Sequence, residues 1–282
     1  MKLLFVIIPT GKEDSPEGDF YKSFYLPMTK RNIDLVKNPD TEVVFRVCEW
    51  GMGGVEVVAF YRYLDHLAAR MVFHSARHAK EEGFDAVLIN CFGDPMLWEM
   101  RQALDIPVIG LKESAFGTAC MMGYKFGIVH ISPSNIPETE EHLQKYGYAE
   151  KCVGMEPTAT WGVVPAPGSR TIIDGFLPAA KKLVAAGAEV IIPGCSIISP
   201  WVRLGVNAED EFPNGVTEVD GAAVFDLVGN AVKCAETLAA LRKGGSSWIS
   251  RKNLYIQPPQ DVLELARPVT DDCDFKFWDI ML

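Results

Sequence analysis

The chain has 282 residues, 48% of them apolar and 23% charged, with a formal net charge of −10, which suits one large globular domain or two modest ones. An acidic chain without a run of Lys and Arg lacks the basic footprint that nucleic acid or an anionic membrane requires, so neither is expected as a partner. No stretch reaches the roughly 18 apolar residues that would suggest a membrane span.

Taken in chain order, residues 3–8 form an apolar run too short for a signal peptide. The run ends at Pro9-Thr10-Gly11 with no small-residue cleavage site, so a first buried strand and a cytoplasmic location are expected. Further short β-branched runs at residues 42–47, 86–90, 107–110, 126–130, 190–193 and 216–219 alternate with helix-period segments. This is the pattern of parallel sheets covered by helices. A helix over 57–82 carries an apolar stripe at Phe60, Leu64, Leu67 and Met71, and one over 221–241 carries Val224, Val228, Ala231, Ala235 and Leu238. After Lys243 come Gly244-Gly245-Ser246-Ser247, polar turns and an apolar end with Phe275, Phe277, Ile280 and Leu282. Such side chains at a terminus avoid water by docking. Docking on a neighbouring subunit, and hence a homo-oligomer, is expected.

Seven cysteines (48, 91, 120, 152, 195, 234 and 273) occur without C-x-x-C pairs, which argues against a disulfide framework and a structural zinc site. No metal site is expected. Two of the seven stand apart. Gly83-Phe84-Asp85-Ala86-Val87-Leu88-Ile89-Asn90-Cys91 aligns without gaps on Gly187-Ala188-Glu189-Val190-Ile191-Ile192-Pro193-Gly194-Cys195. In each copy a helix ends at glycine, an acidic residue opens a strand, and a cysteine follows the strand's carboxyl end. Two similar α/β halves explain the repeat. Residues 1–118, completed by the C-terminal helix and tail at 225–282, form the first half, and residues 119–224 the second.

Ligands of open α/β sheets bind beyond the carboxyl ends of the strands, which is where Cys91 and Cys195 fall. Asp94-Pro95 after the first and Ser199-Pro200 after the second are expected to be an N-cap and first helical residue. Each thiol then lies near free backbone N–H groups that lower its pKa from about 8.5 toward neutrality. Two facing thiols suit proton transfer at a carbon beside a carbonyl, one removing the proton as thiolate and the other delivering one to the opposite face. Backbone donors around Phe92, Gly93 and Asp94, and around Ser196 and Ile197, are candidates to hold the substrate's developing oxyanion. A small molecule with an acidic C–H needs no cofactor for this chemistry. The remaining cysteines are expected to pack as small apolar residues. Asp94 and Glu113 are explained by helix starts. His74 and His78, spaced i, i+4, lack a third ligand and read as a packed pair. Arg46 and Lys112 fall in no evident carboxylate site.

Several segments resemble the aspartate/glutamate racemase superfamily, and within it the hydantoin racemases. Asn90-Cys91-Phe92-Gly93-Asp94-Pro95 is similar to C-F-x-D-P, Gly194-Cys195-Ser196 to G-C-[TAS], and residues 106–115 loosely to I-P-V-x-G-x-x-E-A. Gly54-Val55-Glu56 and Lys125-Phe126-Gly127-Ile128-Val129 resemble weaker family segments, and the likeness spans roughly residues 1–240. The resemblance implies two flavodoxin-like halves related by a pseudo-twofold, a cleft between them, and Cys91 and Cys195 as the catalytic pair of a cofactor-independent racemase. A 5-substituted hydantoin is the first choice of substrate. Pro9 and Thr10 stand where the family carries N-P-N-[TS], and Trp50 and His130 lie near strand ends, so these four join the expected substrate-binding set. Trp50, with Gly51, Gly53 and Gly54, also suits a flap. The alternatives are a same-fold decarboxylase or a maleate-type cis-trans isomerase using one cysteine, and a non-catalytic small-molecule binder.

Overall fold

The computed structural model describes residues 1–49, 61–158, 169–271 and 275–282, and the side chains of Pro9, Thr10 and residues 266–271 also lie outside the description. Two five-stranded, mainly parallel sheets form its centre. The first holds β1 (Lys2–Thr10), β2 (Glu42–Glu49), β3 (Ala86–Asn90), β4 (Val108–Gly110) and β10 (Phe277–Ile280), in the order β10-β2-β1-β3-β4. The second holds β5 (Phe126–His130), β6 (Cys152–Pro157), β7 (Val190–Pro193), β8 (Glu218–Val219) and β9 (Ala222–Val224), in the order β6-β5-β7-β9-β8. Without the antiparallel edge strands β10 and β8, both sheets run second-first-third-fourth, the doubly wound order of a flavodoxin-like half. β3, β5 and β7 are buried along their whole length, so they read as continuous apolar runs rather than alternating ones.

The helices are α1 (Pro16–Phe20), α2 (Leu26–Asp34), α3 (Arg62–Ala76), α4 (Leu97–Ala103), α5 (Leu111–Met122), α6 (Ile136–Tyr146), α7 (Thr171–Ala185), α8 (Ile198–Leu204), α9 (Leu227–Lys243) and, in the tail, α10 (Gln260–Asp271). Between α1 and α2 a π-helical turn spans Tyr21–Tyr25. A Cβ on Gly194 would meet Ile128 Cγ2 at 2.8 Å, so the glycine before Cys195 is what lets that chain pass close to β5.

Several expectations need correction. The described part of the first long helix begins at Arg62 and ends at Ala76, with turns over 77–83, while residues 57–60 lie outside the description. The helix expected from 221 begins at Leu227, because Ala222–Val224 pairs as a strand with β7 on one side and β8 on the other. Asp220 and Gly221, with φ of 47° and 87°, make the two-residue turn between β8 and β9. The Asp226 carboxylate then caps α9 by accepting from Gly229 N at 2.8 Å. β4 starts at Val108 and β8 at Glu218, and β6, β9 and β10 were not anticipated.

The tail is the largest correction. It docks on its own chain, β10 pairing antiparallel with the edge strand β2 from Phe277↔Cys48 to Ile280↔Phe45. Arg46 fixes the register: its guanidinium, nearly buried, donates at 2.7 Å to both oxygens of Asp279, to Glu82 Oε2 and to the Ser75 carbonyl. Its fork matches the carboxylate, and each of these short contacts is charge-assisted. Asp279→Ala leaves this desolvated guanidinium with one carboxylate and is expected to cost about 2–3 kcal/mol in urea unfolding. An unchanged midpoint would show that β10 does not hold β2.

Candidate active site

The two cysteine loops repeat each other in detail. Cys91 N donates to Ile89 O at 2.9 Å and Cys195 N to Pro193 O at 2.8 Å, so both chains turn sharply at the ends of β3 and β7. The amide two residues on then points back at each sulfur, Gly93 N at 3.3 Å from Cys91 Sγ and Ile197 N at 3.4 Å from Cys195 Sγ. Both thiols line one cavity of about 630 Å³ including its mouth, walled by elements of both sheets. In each half the cysteine strand lies beside the first strand, where the strand order reverses and a crevice opens.

Phe92, Gly93, His130, Ser196 and Ile197 line the same cavity. The side chains of Pro9 and Thr10 and all of Trp50 lie outside the described residues, as does Cys273. Ile7 and Ile8 of the same strand reach the wall. Asp94 does not line this cavity. Nor does it cap the helix that follows it: α4 begins only at Leu97, with Met96 in a left-handed conformation ahead of it. Its carboxylate instead accepts from Lys112 N at 2.9 Å and Glu113 N at 2.8 Å, capping α5 from across the loop. This approach requires Gly110, whose Cβ would sit 2.5 Å from the Asp94 carboxylate. Ser199, likewise expected as an N-cap, lies inside α8, and its hydroxyl accepts from Leu227 N at 3.2 Å. His74 contacts Arg77 and stacks edge-on against Phe275, away from the cavity. Cys48 is buried against the Met71 carbonyl.

Sequence patterns missed a bridge between the loops. Tyr25, in the π-helical turn, is fully buried, accepts from Asn90 Nδ2 at 2.7 Å and donates to Ser196 O at 3.3 Å. Asn90 precedes Cys91 and Ser196 follows Cys195, so one phenol ties the two cysteine loops together. Burial pushes its pKa to about 12, which keeps the hydroxyl protonated and able to donate.

The electrostatics also depart from expectation. Burial raises both thiols above their ordinary range, and the backbone N–H groups that face them offset this only in part. For Cys91, Asp65 and Glu138 add to the rise. A Cβ on Gly93 would lie 3.4 Å from both Cys91 Sγ and Glu138 Oε1, which shows how near that carboxylate stands. Asp65 is itself raised to about 6 by burial and by Glu138. Lys112, on the cavity wall, is 1% exposed; burial lowers its pKa while Glu138, Asp94, Cys91 and Asp65 oppose that. His130 is pushed down to about 3 by burial and by Lys112, so its ring is neutral.

Buried polar atoms without a partner concentrate here. Asn90 Oδ1, Thr139 Oγ1 and both ring nitrogens of His130 have no hydrogen-bond partner among the described residues, and all three side chains line the cavity. Buried polar groups are normally satisfied, so a cluster that is not marks where a polar ligand completes the set. Among the described residues no three His, Cys, Asp or Glu side chains could together hold a metal ion, and no helix is long and apolar enough to cross a membrane.

Residues 58–226 match the family model described as Asp/Glu/hydantoin racemase. The chain belongs to this family and is an isomerase of the racemase class. It is similar to a hydantoin racemase of Pseudomonas sp. (strain NS671), 29% identical over 210 residues covering 72% of this chain and 76% of the relative. It is also similar to one of Rhizobium meliloti, 27% identical over 64% of this chain and 70% of the relative. Among solved structures, allantoin racemase from Klebsiella pneumoniae superposes with a TM-score of 0.64 at 25% identity, covering 92% of this chain and 94% of that one. The allantoin racemase of Pseudomonas fluorescens shares the fold, with a TM-score of 0.67 at 22% identity over 92% and 98% of the two chains.

Tyr25→Phe removes both ties between the loops and leaves the Asn90 amide short of an acceptor. The expected cost is about 1–3 kcal/mol of stability and a fall in kcat on the order of tenfold, since misplacing reacting groups is expensive. Parallel thermal melts and steady-state kinetics check this. Wild-type values for both would remove the bridge from the site.

Proposed function

We propose that this racemase inverts a carbon acid by two-thiol proton transfer, Cys91 and Cys195 acting from opposite faces, with a 5-substituted hydantoin as substrate. One observation carries the proposal: two thiols from repeat-related loops line one cavity, each held by the amide N–H two residues on. The thiolate of one cysteine takes the proton from the ring carbon; the electron pair moves onto the adjacent carbonyl oxygen; the thiol of the other returns a proton to the opposite face. The first cysteine is then the thiol and the second the thiolate, so the next turnover runs the other way or follows exchange with water. No electron is gained or lost, and a cofactor has no step to perform.

The orphaned polar atoms support a cyclic imide or amide. Asn90 Oδ1 is an acceptor for a ring N–H, while neutral His130 and Thr139 offer donors for carbonyl oxygens. The family membership and the names borne by the relatives support the same substrate class. A decarboxylation or an addition–elimination isomerisation uses one thiol and leaves its symmetric counterpart without a task.

Cys91→Ser or Cys195→Ser alone is expected to lower racemisation by at least about a thousandfold, because each turnover uses both faces. In D₂O each single variant should still exchange the ring proton of the enantiomer that faces its remaining thiol, followed by proton NMR. Near-normal racemisation by both variants overturns the two-thiol mechanism.

Because burial raises both thiols, the ascending limb of kcat/KM should lie on the alkaline side, above the ordinary thiol value of about 8.5. Activity rises with pH as the pair loses its first proton and falls when it loses the second; the two limbs belong to the coupled pair. A maximum below neutral pH would contradict the buried-thiol electrostatics.

A further inference from the structure

Lys112 is the strangest residue of the cavity. It is 1% exposed, among the largest fully buried side chains of the protein, and it sits in the first turn of α5. A cation there opposes the helix dipole, so α5 gains nothing from it. Taking an ammonium out of water costs several kcal/mol unless its partners repay it, and the three N–H donors of Lys112 are poorly served. One is given to Nδ1 of His142 at 2.8 Å, where neutral His142 is the acceptor. Glu138 Oε1 stands at 3.9 Å, near enough to balance charge but outside hydrogen-bond reach. The face of Phe92, 5.3 Å from Nζ, supplies a cation–π contact. Among the described residues Nζ has no second hydrogen-bond partner, and Lys112 lines the cavity. Thr139, with its unpartnered hydroxyl, lines the same cavity.

We propose that Lys112 anchors a carboxylate, so that the carbon acid racemised here carries an anionic group on the substituent of its reacting carbon. This rests on the proton-transfer mechanism above and adds to it the chemistry of the substituent. A carboxylate at Lys112 takes the ammonium donors that His142 and Glu138 leave unused, and it can accept from Thr139 as well. Asn90 and His130 remain for the ring. Of the acids around the anchor, Glu138 stands 3.9 Å from Nζ, outside hydrogen-bond reach, and Asp94 is engaged by two amides of α5. A second groove shares Cys91, Gly93 and Glu138 with the cavity and is walled by Arg62, His66 and Lys145 as well as by Asp65, Asp94 and Glu99.

The test compares two substrates of one shape, 5-(2-carboxyethyl)hydantoin and its carbamoyl analogue, with the wild-type protein and Lys112→Met. The wild type is expected to prefer the acid by about tenfold or more in kcat/KM, chiefly through KM; each tenfold corresponds to about 1.4 kcal/mol. Lys112→Met should erase that ratio and Lys112→Arg should restore part of it. An equal rate on acid and amide overturns the anchor. So does a fall in Lys112→Met that strikes both substrates alike and leaves the ratio intact, the signature of a role at the enolate oxygen or in the fold. If neither hydantoin exchanges its ring proton, the proposed reaction fails by itself. The anchor is then decided by calorimetric binding of the same two compounds: a tighter acid that Lys112→Met no longer distinguishes supports it, and equal affinities overturn it.

Discussion

The proposed two-thiol racemisation demands that groups from two separate sheets keep a fixed separation, and among the described residues the one side chain that ties the two cysteine loops is the Tyr25 hydroxyl. It is one oxygen with one donor and one acceptor role, spent on the residue before Cys91 and the residue after Cys195. Everything around it serves to keep it there. The π-helical turn displaces the helix just where Tyr21 and Tyr25 must face the cavity, a usual reason for such a turn. The two rings meet edge-on at 5.1 Å, which fills the space behind the phenol. Burial makes the hydroxyl a poor acid, so its donor role survives at any pH the protein meets.

The first cysteine loop has a second constraint that the other half lacks. Asp94 reaches past Gly110 to the start of α5, so two hydrogen bonds tie the loop carrying Cys91 to the helix carrying Lys112. The cap satisfies two amides that a helix otherwise leaves without partners. Its side effect is to hold an ammonium beside a thiol. The opposite loop has no described charged residue on the cavity wall, only amides. The repeated halves thus place one thiol each on the cavity, while the buried ammonium sits on one side alone.

Much of this was legible in the sequence. The gapless match around Cys91 and Cys195 exposed the duplication because strand, turn and thiol obey the same geometry in both halves. Seven strands showed as apolar runs for the same reason. The misses have local causes. Ala222–Val224 was taken into a helix because alanine and valine fit its apolar stripe, although Asp220-Gly221 is the dipeptide of a tight hairpin. β6 is half-buried along its length and carries Gly154, so it shows neither a continuous run nor alternation. Tyr25, Glu138 and Thr139 share no spacing with the cysteines, and only the fold brings them to the cavity. Asp94 was rightly read as a cap but assigned to the nearer helix, since sequence distance cannot show a loop folding back on the next element.

The unfavourable electrostatics of the free cavity have a functional side. A thiol held above its usual pKa is a reluctant base while the site is open, and it is a strong one once ionised. A carbon acid is a weak acid, so a strong base within reach shortens the climb to its conjugate anion. The same burial makes each amide that faces a sulfur or an oxyanion worth more than it is in water. Asn90 Oδ1, Thr139 Oγ1 and the ring nitrogens of His130 have no partner among the described residues, so a ligand that pairs with them displaces no protein hydrogen bond. In the proposed reaction, binding and proton transfer draw on one feature, a cavity that gathers both thiols and several polar atoms without protein partners.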